Sequence, residues 1–235
     1  MITLTRVRRG SKWQRYFFYR KESIRTTWKL RLAVLIFVIL IVSVTRGVWI
    51  PRIGQSLVCP EEIGQSDLIL VENFDPNYLV FERAAELHKA GFASRVLVPT
   101  QVSTEPEKPD KRPYLVSRGV AELMSRLARI QDPEIIPIRA IEPISLNAAY
   151  QIRDFLTKEH LSSVIVVTPG FRSKRSYLVY HGVLAPAGIK IYCMPVFGLE
   201  TPENWTKTWH DIQEVTEQFL KLLFYRFYVL RNRLA

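Results

Sequence analysis

Between Ser163 and Thr168 the chain reads Ser-Val-Ile-Val-Val-Thr, apolar and β-branched at consecutive rather than alternate positions. A strand wetted on one face alternates apolar with polar side chains, whereas one buried on both faces does not. This segment therefore belongs inside a parallel sheet covered by helices on both sides. Further strand-like runs occupy 67–71, 95–99, 135–138 and 189–195. Helical patterns lie between them. One covers 78–90 and ends at Gly91, a C′ signal. Another covers 116–130, with Val120, Leu123, Leu127 and Ile130 at the spacing of a helix face. The others cover 146–158 with Ser145 as N-cap, 173–184, and 205–230. Strands alternating with helices predict an α/β fold over 67–235, a Rossmann-like open parallel sheet with helices on both faces.

Residues 32–44 form thirteen uncharged positions (LAVLIFVILIVSV), and 32–50 make nineteen with Arg46 near one end. About 20 apolar residues cross the hydrocarbon core, Arg46 lies where it can snorkel, and Trp28 and Trp49 lie where interfacial anchors do. Pro51 is expected to stop the helix. No A-x-A cleavage pattern follows, so the run predicts a single N-terminal transmembrane helix at 32–50 rather than a signal peptide. Residues 1–31 carry ten Lys and Arg against one acid, which places them as a basic cytoplasmic N-terminus. A juxtamembrane linker at 51–66 then leads to an extracytoplasmic domain at 67–235.

That placement also explains the formal net charge of +11. Residues 52–235 hold 22 basic and 21 acidic side chains, so no basic groove for nucleic acid is expected on the domain. Cys59 and Cys193 are 134 positions apart. An oxidising compartment permits a bridge, while the apolar run around Cys193 suits a buried free thiol equally. The four histidines are scattered and support no metal site.

In open parallel sheets ligands sit beyond the carboxyl ends of the strands. The first such end reads Val-Glu-Asn-Phe-Asp-Pro, with no glycine before Gly91. The turn that admits a dinucleotide pyrophosphate is missing, and no nicotinamide or flavin cofactor is expected. Glu72 and Asp75 are a candidate ligand-facing acidic pair there, although Asp75-Pro76 reads better as a turn opener. Residues 102–113, rich in proline and charge, read as a surface loop. The end of the central strand, Thr168-Pro-Gly-Phe-Arg-Ser-Lys-Arg-Ser176, opens a helix with three cations, Arg172, Lys174 and Arg175. Cations gathered at a helix N-terminus oppose the dipole preference, which points to an anionic partner. Glu142, Ser145 and Asn147 at the preceding strand end complete the candidate site. The last helix, apolar nearly all round from 219 to 230, is expected to pack across the sheet. The alternative is a contact with the bilayer aided by Arg231 and Arg233.

Glu142-Pro-Ile-Ser145-Leu-Asn147, the Val-Ile-Val-Val-Thr168-Pro-Gly-Phe-Arg-Ser-Lys-Arg175-Ser run and Gly188-Ile-Lys-Ile with Pro195 resemble the bacterial YdcF/SanA/ElyC-like envelope protein family. So does Phe81-Glu-Arg-Ala-Ala-Glu-Leu-His-Lys-Ala-Gly-Phe, the family's first helix. The resemblance spans about 67–228 and implies a membrane-tethered Rossmann-like domain acting in envelope integrity or polysaccharide metabolism. The family's glycines after the first two strands are replaced by Glu72-Asn73 and Thr100-Gln101, and its histidine before the basic pair is Arg172. A guanidinium keeps its proton, so Arg172 is suited to binding or electrostatic stabilisation rather than proton transfer. The expected role is binding of a phosphorylated lipid or sugar. The alternatives are a hydrolase with Glu142 as general base, and a non-catalytic assembly factor whose site has decayed.

Overall fold

A computed structural model describes residues 27–61, 63–75, 77–102 and 112–233. Most of the basic N-terminus and most of the 102–113 loop lie outside the described residues. The chain divides into two compact units, Met1–Arg46 and Gly47–Ala235.

In the first unit, helix α1 (Trp28–Val44) starts at Thr27, whose side chain accepts the Leu30 N–H at 3.4 Å. All of its side chains are exposed. Thr45 ends it, donating its hydroxyl back to the Ile41 carbonyl at 2.7 Å. Among the described residues no single helix is long and apolar enough to cross a membrane. Two consecutive helices, Trp28–Val44 and Arg46–Ser56, meet that test together by length and composition only.

Helix α2 (Arg46–Ser56) departs from the expected span and linker. Pro51 lies inside it rather than ending a span. Trp49, Ile50 and Ile53 pack with Leu57, Phe171, Trp205, Val215 and Leu222 in a small apolar cluster of the domain itself. The Trp205 indole donates to the Ile50 carbonyl at 2.9 Å, and a side chain at Gly54 would collide with the Pro202 backbone. The continuous helix expected over 32–50 therefore ends at Val44. Trp49 packs partly buried against this cluster, and the linker expected over 51–66 is helical as far as Ser56.

Five parallel strands follow: β1 (Leu68–Val71), β2 (Arg95–Val102), β3 (Glu134–Arg139), β4 (Ser163–Pro169) and β5 (Lys190–Val196), in the order β3-β2-β1-β4-β5. The α/β expectation holds, and the order is that of a Rossmann-like sheet reversing between β1 and β4. On one face Leu68, Leu70, Leu97, Val164 and Val166 pack against α5 (Ile144–Lys158), α6 (Ser173–Leu184) and Tyr225 and Val229 near the C-terminus. On the other, Ile69, Val71, Val96, Val98, Ile165 and Val167 pack against α3 (Tyr78–Lys89) and α4 (Arg112–Leu127). Consecutive side chains of β1 and β4 feed opposite cores, which is why Ser163–Thr168 lacks alternation.

Helix α4 turns the other way from its leucine pattern. Its inner face carries the small side chains Ala121 and Ser125, continued by Ala128, while Leu123 and Leu127 are 56% and 58% exposed. The periodicity marks a face but not its direction, and small residues let this helix approach β2 and β3. The last helix, α7 (Trp209–Phe224), starts four residues later than expected, capped by Thr208, and runs through a π-helical turn at Tyr225–Val229. Trp205 is instead buried in the loop before it.

Candidate functional site

The reversal of strand order between β1 and β4 leaves a crevice at their carboxyl ends, and the polar residues that follow these two strands meet there. Glu72, one residue past β1, is buried, and its N–H donates to the Val167 carbonyl at 3.0 Å. Its carboxylate accepts the Thr168 hydroxyl and, at 2.9 and 2.7 Å, the Ser176 hydroxyl. A buried carboxylate demands such donors, and β4 and α6 supply them. Tyr180 is buried close by, and burial, then the Glu72 charge, push its phenol well above its ordinary pKa.

Two guanidinium groups lie within the electrostatic reach of this carboxylate. Arg172 pairs with Asp75. Burial works against its charge, but Glu72 and Asp75 together outweigh burial and raise its pKa. Arg175 is held differently. It donates to the Ser145 hydroxyl at 2.9 Å and the Gln218 side-chain oxygen at 3.3 Å, and lies over the Tyr225 ring at 5.2 Å. Among the described residues it has no direct carboxylate partner, and its Nε is buried with no hydrogen bond. Burial lowers its pKa despite the attraction of Glu72, and the neighbouring Arg172 adds to the lowering.

Both guanidinium groups line a cavity of about 430 Å³. Its wall takes Phe74 and Asp75 from the loop after β1, Gln101 from β2, Glu142 and Pro143 from the loop after β3, and Ile144 and Ser145 from the start of α5. Lys221, Phe224 and Tyr225 come from the C-terminal helix. A cavity with fixed cations, a hydroxyl and aromatic walls suits an anion attached to an apolar or planar group. Among the described residues no group of three His, Cys, Asp or Glu gathers to hold a metal ion.

The predicted residues separate into three sets. Glu142, Ser145, Arg172 and Arg175 line the cavity. Glu72 and Thr168 lie beneath it and hold one another. Asn147 and Lys174 are elsewhere. The Asn147 amide donates to the carbonyls of Ile141 and Pro143 at 3.1 and 3.3 Å, fixing the turn into α5. The Lys174 N–H donates to the Leu57 carbonyl at 2.9 Å, and the Cys59 N–H donates to the Ser173 hydroxyl at 3.0 Å. The Lys174 N–H at the start of α6 is thus engaged by the chain's own backbone rather than offered to an anion. Ser145 is likewise not a cap, because α5 is capped at Pro143 and the Ser145 hydroxyl accepts from Arg175.

Cys59 and Cys193 form a disulfide that ties the segment before the sheet to β5, settling the choice left open between a bridge and free thiols. Gly170 has a packing rather than a ligand role, since a Cβ there would lie 2.1 Å from the Phe197 ring. Asp75, which the sequence favours as a turn residue over a ligand-facing acid, lines the cavity and pairs with Arg172. Gln218 carried a signal, being the one polar member of the otherwise apolar inward face of Val215, Leu222, Tyr225 and Val229.

No family model matches the sequence, and no curated protein matches it. Among solved structures the chain resembles the crystal structure of a protein from the universal stress protein family from Burkholderia pseudomallei. The likeness has 15% identity and a TM-score of 0.32, over 56% of this chain and 97% of that one.

Proposed function

We propose that the chain is a membrane-anchored envelope-biogenesis protein of the YdcF/SanA/ElyC-like kind, whose α/β domain binds an anionic metabolite. Its ligand is a phosphorylated lipid or sugar of cell-envelope or polysaccharide metabolism. The observation that carries the reading is Arg175, a buried guanidinium on a cavity wall, with neutral hydrogen-bond partners and a spare Nε. A buried cation held this way gains most from an incoming anion. Support for the tether comes from the seventeen exposed, largely apolar residues of α1 behind a basic segment. The Cys59–Cys193 bridge supports an oxidising compartment for the domain, on the periplasmic or extracellular side of a bacterial inner membrane.

Titration of the full chain in detergent with inorganic phosphate, and with a polyprenyl phosphate in the same detergent, tests the site. Arg175→Gln is expected to lose roughly tenfold or more in affinity, the scale of one charge-assisted hydrogen bond. Unchanged affinity in a folded Arg175→Gln protein overturns the reading. A second reading, hydrolysis of a phosphate or glycosyl bond, is favoured by the Glu142 carboxylate lining the same cavity as both guanidinium groups. Its test is turnover on phosphate ester and glycoside substrates that Glu142→Gln abolishes while binding persists. Binding without any turnover favours the binding role, whether as carrier recognition or as an assembly factor.

A further inference from the structure

The C-terminal helix divides its side chains in a way that core packing alone does not explain. Val215, Gln218, Leu222, Tyr225 and Val229 are buried toward the domain, whereas Leu220, Phe224, Phe227 and Tyr228 face outward at 61%, 51%, 65% and 61% exposure. Phe224 and Tyr228 stack on one another with ring centroids 5.3 Å apart, so the outward face carries a preformed aromatic surface. Charge changes along the same helix. The acids Asp211, Glu214 and Glu217 all precede Gln218, while residues 218–235 hold Lys221, Arg226, Arg231 and Arg233 and no acid. The Arg226 guanidinium lies over the Phe227 ring at 6.0 Å, so cation and apolar surface are presented together.

We propose that this face is a second membrane contact, docking on a bilayer surface that bears anionic headgroups. A helical segment with aromatic and aliphatic side chains on one side and only cations among its charges, as after Glu217, lies in the interface with its apolar face ~5–10 Å below the headgroups. The outward aromatic surface then meets the acyl boundary, and Arg226 and Arg231 meet the phosphates. Phe224 and Lys221 also line the cavity, so docking brings the cavity rim to the headgroup level. The inference draws on the proposed tether only for keeping the domain beside a bilayer.

The full chain is reconstituted into phosphatidylcholine vesicles with and without phosphatidylglycerol. Both native cysteines are bridged, so Phe227→Cys and, at the far end of α5, Lys158→Cys each offer a single thiol for an environment-sensitive fluorophore. With phosphatidylglycerol present, the label at 227 is expected to shift to the blue. Its quenching by lipid-borne quenchers should be at least about twofold stronger than that at 158, given the burial depth of such helices. Arg226→Glu and Arg231→Glu should each move the docking equilibrium roughly fivefold toward the undocked state. Equal quenching at 227 and 158 overturns the proposal. So does a blue shift at 227 with no lipid quenching and with cross-linking between copies, which would assign the face to a second chain. Flotation reports the tether separately: a chain that floats without quenching at 227 removes this contact alone, and one that does not float removes both.

Discussion

Arg175 donates to the Ser145 hydroxyl at 2.9 Å, joining the helix after β4 to the helix after β3 across the mouth of the strand-order reversal. Ser145→Ala removes an acceptor from a buried cation whose Nε already has none. The cost is about 1–2 kcal/mol of stability, read as a lower urea midpoint with unchanged slope. The orphaned nitrogen also makes the variant more responsive to an anion. Inorganic phosphate should raise the melting temperature of Ser145→Ala more than that of the unmodified chain, and should leave Ser145→Ala/Arg175→Gln unmoved. Equal shifts in all three would remove Arg175 from the binding site.

Glu72 supplies the buried countercharge for both guanidinium groups. Glu72→Gln leaves two cations over a neutral group and gives the Thr168 and Ser176 hydroxyls a weaker acceptor. Breaking a buried charge arrangement from one side costs about 3–5 kcal/mol. Glu72→Gln/Arg172→Gln removes opposite charges together and should recover part of that loss. Additive losses in the double-mutant cycle would show that Glu72 and Arg172 are not coupled.

Much of this architecture is written in local pattern. The non-alternating Ser163–Thr168 run implied two-sided burial, and Val164, Val166, Ile165 and Val167 divide between the two cores as that run requires. Gly91, at φ +77°, closes α3 where the helix signal ended. Direction and partnership were not local. The spacing of Leu123 and Leu127 named a helix face without saying which way it points. The apolar helix ends at Val44, with Thr45 closing on the Ile41 carbonyl, and no local signal in the apolar run marks that end. In the site, Arg175 and Ser145 were legible because strand ends collect ligands. Gln218 and Tyr225 come from an element 43 and 50 positions beyond Arg175, and no short-range signal places them beside it.

The Cys59–Cys193 bridge closes a long loop and holds Leu57 and Cys59 against the first residues of α6. Reduction, or Cys59→Ser/Cys193→Ser, should cost about 3–5 kcal/mol, with the entropy of so long a loop dominating. Two measurements check this: a mobility shift on non-reducing gels, and a urea midpoint that falls equally for the reduced chain and the double variant. A midpoint insensitive to reductant would mean that the bridge adds nothing to stability.

Gly170 is required by the Phe197 ring, which packs edge-on against Phe171 at 5.5 Å. Gly170→Ala forces the ring from that position and should cost about 1–3 kcal/mol as overpacking. Gly170→Ala/Phe197→Leu should be less destabilised than the sum of the single changes, because the smaller side chain vacates the space. Strict additivity in thermal unfolding would refute the steric account.

Glu214 gives the domain a pH dependence of predictable sign. Its carboxyl titrates above its ordinary 4.5 because burial penalises the charge and Glu200 and Asp211 repel it, against a smaller pull from Arg172 and His210. The folded chain therefore keeps a proton at pH values where the unfolded chain has already lost it. The unfolded state binds fewer protons in that window, so this group's contribution to stability falls as pH rises from 4.5 through the folded value. Glu214→Gln removes the titration. The variant should match the unmodified chain below pH 4.5 and exceed it in stability at neutral pH, by a modest margin because the side chain is half-exposed. Urea midpoints of both proteins at pH 4 and pH 7 decide the matter. A difference that is the same at both values would mean that the carboxyl acts through packing or hydrogen bonding rather than through its charge.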